Sequence, residues 1–294
     1  MAINSNRNDS IRRLEELASS HEGLSHARNI LGKYKKCKST RQREELLSLI
    51  PSYLSYLDDC LSVTGSPSEK IGSLTQLLNN YYGAFQPYES LFSSQSKWRS
   101  TILEEFLYLL FLDKIKDINQ ANERKLQSGS VKAYSSAYFR ASNLNAFINS
   151  IEININHKDQ DFAVYRVVRL NAEGSVREVN VPIFAIEVKT YLDKTMFEGI
   201  VATAEKIKNG NPYAKFFVVT ETYDVSFDVN PAMSKIDQIY VLRKCRREKG
   251  KKDGYSIPPI QPDVIASLVS DVEIFFDSEW DDIPKRLETT GKLI

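Results

Sequence analysis

Histidine, cysteine and long apolar runs are all scarce in this chain of 294 residues. Cys37, Cys60 and Cys245 are odd in number and widely spaced, which argues against a disulfide frame or a zinc site and points to reduced thiols in a cytoplasmic protein. His21, His26 and His157 lack the spacing of a metal cage or a catalytic triad, and all three are expected at the surface. No apolar stretch reaches the ~18 residues that cross a bilayer. The nearest, 102–112, is interrupted by Glu104 and Glu105. The first ten residues lack the apolar segment of a secretion signal, so no membrane partner is expected. Walker-type, Gly-x-Gly-x-x-Gly and nucleophile-elbow patterns are missing, which leaves ATP-driven and serine-hydrolase chemistry without support. An excess of either charge is missing too. Lys and Arg number 39 against 38 Asp and Glu, a net charge of +1 that does nothing to favour nucleic-acid binding. Local charge favours it weakly, through Lys33–Arg43 and through Arg243, Lys244, Arg246, Arg247, Lys249, Lys251 and Lys252.

What is present divides the chain into three parts. Hydrophobic content of 42% is ordinary for a globular protein. Residues 1–93 place leucine and isoleucine at helical intervals (Leu14 and Leu17, then Leu46, Leu47, Ile50 and Leu54, then Ile71, Leu74, Leu77 and Leu78). Pro51, Gly65–Ser68 and Gln86-Pro87 are expected to interrupt these helices. Residues 94–245 predict a helix over 96–111, strand runs over 158–170 and 181–190 joined by a turn at 171–175, a helix over 191–207 and strands over 214–220 and 236–243. Residues 246–294 begin as a polar loop, turn at the Pro-rich segment 257–262 and end in a helix-like tail.

The most informative run is Val181-Pro182-Ile183-Phe184-Ala185-Ile186-Glu187-Val188-Lys189-Thr190. On a strand, side chains two apart share a face. Glu187 and Lys189 therefore project together with Ile183 and Ala185, while Phe184, Ile186 and Val188 enter a core. Charges rarely enter a buried strand without a partner, and a divalent metal with a phosphate would supply one. Asp161, at the entrance of the preceding strand, is the third member; Asp159 is its rival. The bland alternative is a cross-strand salt bridge worth only ~0.2–1 kcal/mol. Glu123-Arg124-Lys125 repeats the Glu-x-Lys spacing in a polar stretch and reads as a solvated helix surface.

Acid, strand, turn, strand and Glu-x-Lys, with the acids 26 positions apart, resembles the PD-(D/E)xK nuclease superfamily, and within it type II restriction endonucleases of the BbvCI and DdeI kind. The resemblance spans roughly 95–245. It implies an α/β fold of α+β character, with a central mixed sheet flanked by helices, plus the helical N-terminal region for recognition or dimer contacts. It implies Mg²⁺ held by Asp161, Glu187 and the Val188 carbonyl, with Lys189 at the attacking water. Glu104, after the basic start Lys97-Trp98-Arg99, would approach the metal; a solvated Glu104 beside Glu105 is the alternative. The substrate would be double-stranded DNA, cut at one sequence to leave 5′-phosphate and 3′-hydroxyl ends. The active form would be a homodimer, or a heterodimer with a related subunit. Lys249, Lys251 and Lys252 would touch phosphates, unless their loop is merely solvated. A repair or junction-resolving nuclease of the same fold is a second reading, and a non-catalytic DNA-binding or interaction subunit a third.

Overall fold

The structure is a computed structural model and describes residues 2–93, 97–172, 175–247, 257–278, 280 and 283–291. The chain opens with four helices, α1 (Ala2–Ser20), α2 (Ser25–Lys36), α3 (Thr40–Ser62) and α4 (Pro67–Phe85). A 3-10 turn over Gln86–Leu91 leads to α5 (Ser100–Gln120). Then come β1 (Gln127–Arg140), α6 (Leu144–Asn149), β2 (Glu152–Ala172), β3 (Ser175–Leu192), α7 (Lys194–Gly210), β4 (Lys215–Tyr223) and β5 (Gln238–Val241). The described C-terminal residues form α8 (Pro262–Asp277) and α9 (Ile283–Thr289).

Local chemistry explains several boundaries. Ser66 and Glu69 form a reciprocal capping box, and Pro67 occupies the first turn of α4, where no amide partner is lost. Asp193 accepts the Met196 amide and starts α7, which ends near Asn209–Pro212 as expected. Pro51 does not interrupt α3, contrary to the expectation. The proline faces solvent, and the buried Leu46, Leu49, Ile50, Tyr53, Leu54 and Leu57 anchor the helix on both sides of it. Such packing offsets the one hydrogen bond that a proline removes. Glu123-Arg124-Lys125 lies in an exposed loop after α5, not on a helix.

The sheet has the order β1-β2-β3-β4-β5. β1/β2 and β2/β3 are antiparallel; β3/β4 and β4/β5 are parallel, joined through α7 as a βαβ crossover. β1 is absent from the sequence reading, and β5 is shorter than the expected 236–243. The two faces pack separately. Phe162, Val164, Phe184, Ile186 and Val188 join a core that runs from Leu14 in α1 through α5 to Phe275 in α8. Ala163, Tyr165 and Ala185 pack under α7 with Phe197, Ile200 and Ala204. Ile183 packs with the first core, not beside Ala185. The β2/β3 register slips between Val164 and Tyr165, which leaves Ile183 without an opposite residue. No helix among the described residues is long and apolar enough to cross a membrane, and the three cysteines form no disulfide.

His26 is fully buried, which corrects its expected surface position. Its ring nitrogens lie 2.9 Å from Thr101 Oγ1 and 2.9 Å from Tyr81 Oη, within a cage of Tyr53, Phe85 and Trp98. Burial lowers its pKa to about 3. A base with a depressed folded pKa contributes stability that is full above ~6.5 and falls by ~1.4 kcal/mol per pH unit below it. His26→Gln should therefore destabilise the protein at pH 7.5, and its deficit should shrink by about 2 kcal/mol at pH 5. Urea unfolding at both pH values checks this; an unchanged deficit would contradict a neutral buried imidazole.

Candidate active site

The site forms where β2 bulges against β1 and parts from β3. Against β1, Gly129 pairs with Ala163 but Val131 pairs with Gln160, so Ser130 faces two residues, Asp161 and Phe162. Gly129 adopts φ +137 at this bulge, a conformation open to glycine and strained for other residues. Against β3, the recorded pairing ends at Phe162↔Ile186. There the Val188 amide donates to Asp161 Oδ2 at 3.0 Å, so a side chain takes the place of a ladder carbonyl. Asp161 thus lies halfway along β2 and not at its entrance. The polar half, 152–160, is strand because it pairs with β1.

Three carboxylates and two ammonium groups meet at this parting. Lys189 Nζ donates to Glu187 Oε1 at 2.6 Å and to the Val188 carbonyl at 3.1 Å, and lies 3.5 Å from Asp161 Oδ2. Lys97, just before α5, reaches Asp161 Oδ1 at 2.7 Å and Glu104 Oε1 at 3.7 Å. Its φ of 54 is the left-handed region, uncommon for a residue with a side chain. Glu104 and Asp161 are buried. Burial, with the Asp161 charge beside it, pushes the Glu104 carboxyl up to about 7 despite the opposing Lys97. Burial and Asp161 also raise Glu187, against the pull of Lys189. For Lys189, burial works to lower the pKa, but the charges of Asp161 and Glu187 prevail and it stays above the ordinary value. The two carboxylates thus favour the charged ammonium over the neutral amine, a point the sequence leaves open.

The structure places Asp161, Glu187, Val188 and Lys189 together, with Glu104 on their margin behind Lys97. Asp159 is not part of this cluster: it pairs with Lys132 along β1, two residues before Asp161. Glu105 faces away from it and is buried among the N-terminal helices. It accepts the amides of His26 and Ala27 and the Tyr53 hydroxyl. The solvated alternative for Glu104 and Glu105 is thereby corrected. Asp161, Glu187 and the Val188 carbonyl are hard oxygen donors of the kind magnesium prefers. Among the described residues no three His, Cys, Asp or Glu side chains enclose a metal position by themselves. Magnesium does not need such a cage, because it keeps several waters beside one or two carboxylates. The donor set fits that ion. Lys249, Lys251 and Lys252 lie outside the described residues.

Sequence reasoning missed Lys97 and a buried ion triad next to the site. Glu221, at the end of β4, accepts from Arg99 Nε at 3.0 Å and Nη2 at 2.8 Å, and from Arg243 Nε at 2.8 Å. Burial works against its charge, and the two guanidinium groups overrule it and hold its pKa below the usual carboxylate range. Both guanidinium groups also lie over the Tyr82 ring, at 5.0 and 5.4 Å. Arg243 is thus a buried structural cation and not part of an exposed basic loop. The signal that could have found Glu221 is the one that singled out Glu187, an acid inside the apolar run Phe216–Thr222. A cleft of about 350 Å³ opens beside the triad, between Arg99, Thr190, Tyr191 and Arg247. None of the three site carboxylates lines it.

A mixed sheet flanked by helices, with acids and a lysine where its antiparallel and parallel halves meet, defines the restriction-endonuclease-like class of α/β proteins. Comparison with known proteins gives the family. The profile described as Bpu10I restriction endonuclease matches residues 95–253, and the chain belongs to that family of type II site-specific endonucleases. A solved structure, described as the native BbvCI A2B2 tetramer at low resolution, shares the fold with a TM-score of 0.65. The two are 23% identical, over 87% of this chain and 96% of that one. No curated protein matches this chain.

Proposed function

We propose that the chain hydrolyses phosphodiester bonds of double-stranded DNA at a specific sequence, with Mg²⁺ held by Asp161, Glu187 and the Val188 carbonyl. The observation that carries this reading is the convergence of Asp161, Glu187 and Lys189 on two adjoining strands. When bound, the ion would neutralise charge on the phosphoryl oxygens and acidify a water. Asp161 is oriented by the Val188 amide and Glu187 by Lys189, so both carboxylates are fixed before substrate arrives. Lys189, charged at neutral pH, donates to the attacking water and to the oxygens that gain charge as phosphorus becomes five-coordinate. The water gives up a proton to solvent as its oxygen bonds to phosphorus, the P–O3′ bond breaks, and the 3′-oxygen takes a proton back from solvent. The products carry 5′-phosphate and 3′-hydroxyl ends.

A double-strand break requires two such sites, so this chain works with a second copy or with a related subunit. The A2B2 assembly of BbvCI supports a multi-chain reading. Lys189→Ala tests the assignment. Cleavage should slow by ~10²–10³-fold, the effect of removing one preorganised donor. A surface salt bridge would instead leave turnover unchanged and cost less than ~1 kcal/mol of stability. Rate and thermal midpoint measured on one preparation distinguish the two, and unchanged turnover would reject the catalytic role.

A further inference from the structure

We propose that the cleft beside Lys189 takes the DNA backbone next to the scissile phosphate, and that Arg247, held on the Tyr191 ring, binds the neighbouring phosphate. The proposal rests on the reading above that duplex DNA is the substrate, and it assigns a substrate contact outside the catalytic cluster. The cleft adjoins that cluster from two sides. Ser100, which lines it, donates to Glu104 Oε1 at 3.3 Å, and Thr190, which also lines it, directly follows Lys189 on β3. Four arginines line the cleft: Arg99, Arg243, Arg246 and Arg247. Three of them are neutralised. Glu221 pairs with Arg99 and Arg243, Glu89 pairs with Arg99 at 2.5 Å, and Arg246 lies 3.7 Å from Asp224 Oδ1. Arg247 differs. Among the described residues its guanidinium meets no carboxylate and makes no hydrogen bond, and its central carbon lies 3.5 Å from the centroid of the Tyr191 ring.

Geometry and position select the ligand. At that distance an edge-on approach would drive a guanidinium nitrogen into the ring, so the two planes stack. Stacking uses the face of the guanidinium and leaves its N–H donors free along the edge. The ring also fixes the direction of this fork before a ligand arrives, which reduces the freedom lost on binding. A planar fork of free donors with an unneutralised charge matches a phosphate, which it bonds through two oxygens at once. Tyr191 stands two residues beyond Lys189 on β3, ~6.6 Å along the strand. Successive phosphates of one DNA strand are separated by a similar step. A strand with its scissile phosphate at Lys189 therefore brings a neighbouring phosphate within reach of Arg247. Such a contact carries no sequence information; it fixes the register of the cut strand against the catalytic cluster.

Titrations of the full chain with duplex DNA in Ca²⁺, at several salt concentrations, test the proposal. Arg247→Ala should weaken binding roughly tenfold at ~0.1 M salt and lower the slope of log K against log salt by about 0.9 for each chain bound. Arg247→Lys should keep the slope, because the charge remains, and recover part of the affinity. Tyr191→Phe keeps the ring and should bind as the wild type does. Arg247→Gln stands in for Arg247→Ala should the latter fail to fold. Once the cut is mapped, methylphosphonates placed one at a time at the flanking phosphates remove single charges. One of them should weaken wild-type binding by the same factor as Arg247→Ala and have no effect on that variant. Unchanged affinity and slope in Arg247→Ala would overturn the proposal. So would methylphosphonate penalties that are equal in the two proteins at every flanking position, since Arg247 would then act through structure alone. A wild type that shows the Arg247-dependent slope but cuts no duplex in Mg²⁺ would sink the nuclease reading and leave the phosphate contact standing.

Discussion

Asp161→Asn should lower the cleavage rate by at least ~10³-fold while DNA binding in Ca²⁺ persists, because in the proposed mechanism the charge it would bring to Mg²⁺ is worth several kcal/mol of transition-state stabilisation. The substitution keeps the shape of the side chain, and its oxygen can still accept the Val188 amide. Folding should therefore survive, and any loss reports on charge at the site. Asp161 is also the meeting point of both lysines, at 2.7 and 3.5 Å. Single-turnover cleavage and a filter-binding titration on the same variant separate chemistry from binding. Cutting within tenfold of wild type would remove Asp161 from the site.

Glu221→Ala should be the most destabilising substitution in the nuclease half. It leaves the guanidinium groups of Arg99 and Arg243 without their shared carboxylate in a region where Glu221 is 1% and Arg243 7% exposed. Removing one member of a buried ion network costs ~3–5 kcal/mol, because the remaining charges stay desolvated. The exposed pair Arg169–Glu178 is the control, and Glu178→Ala should cost less than ~1 kcal/mol. Urea midpoints for the two variants give the comparison. Equal costs would mean that the triad is solvated in solution. Arg99 directly precedes α5, and Lys97 and Glu104 flank it, so the same variant should also loosen the margin of the site.

The sheet half of this architecture is legible where apolar alternation is strong. Phe184, Ile186 and Val188 alternate with Ala185 and Glu187, and that pattern gives both the strand and its buried face. The pairing of β2 with β3 follows from the turn between two such runs. β1 and the first half of β2 escape notice because their residues are polar and the backbone pairing between them leaves no mark in composition. The bulge at Gly129, which orients Asp161, is likewise a property of register. The Glu-x-Lys spacing is readable because Glu187 and Lys189 are local to one strand. Lys97 reaches Asp161 from 64 positions earlier in the chain, and only the packing of α5 on the sheet brings it there. His26 and Glu105 show the same limit. Nothing in the sequence around either distinguishes a caged imidazole or an amide-bound carboxylate from a surface residue, since their partners come from α2, α3, α4 and α5.

The most direct test of the account is to incubate the purified wild-type protein with plasmid DNA and Mg²⁺ and to sequence the ends produced. The account predicts cleavage of intact duplex at one recognition sequence, dependence on the added metal, and ends that carry 5′-phosphate and 3′-hydroxyl groups. Cutting confined to branched or damaged DNA, ends scattered without a common sequence, or no cleavage of any duplex would contradict it.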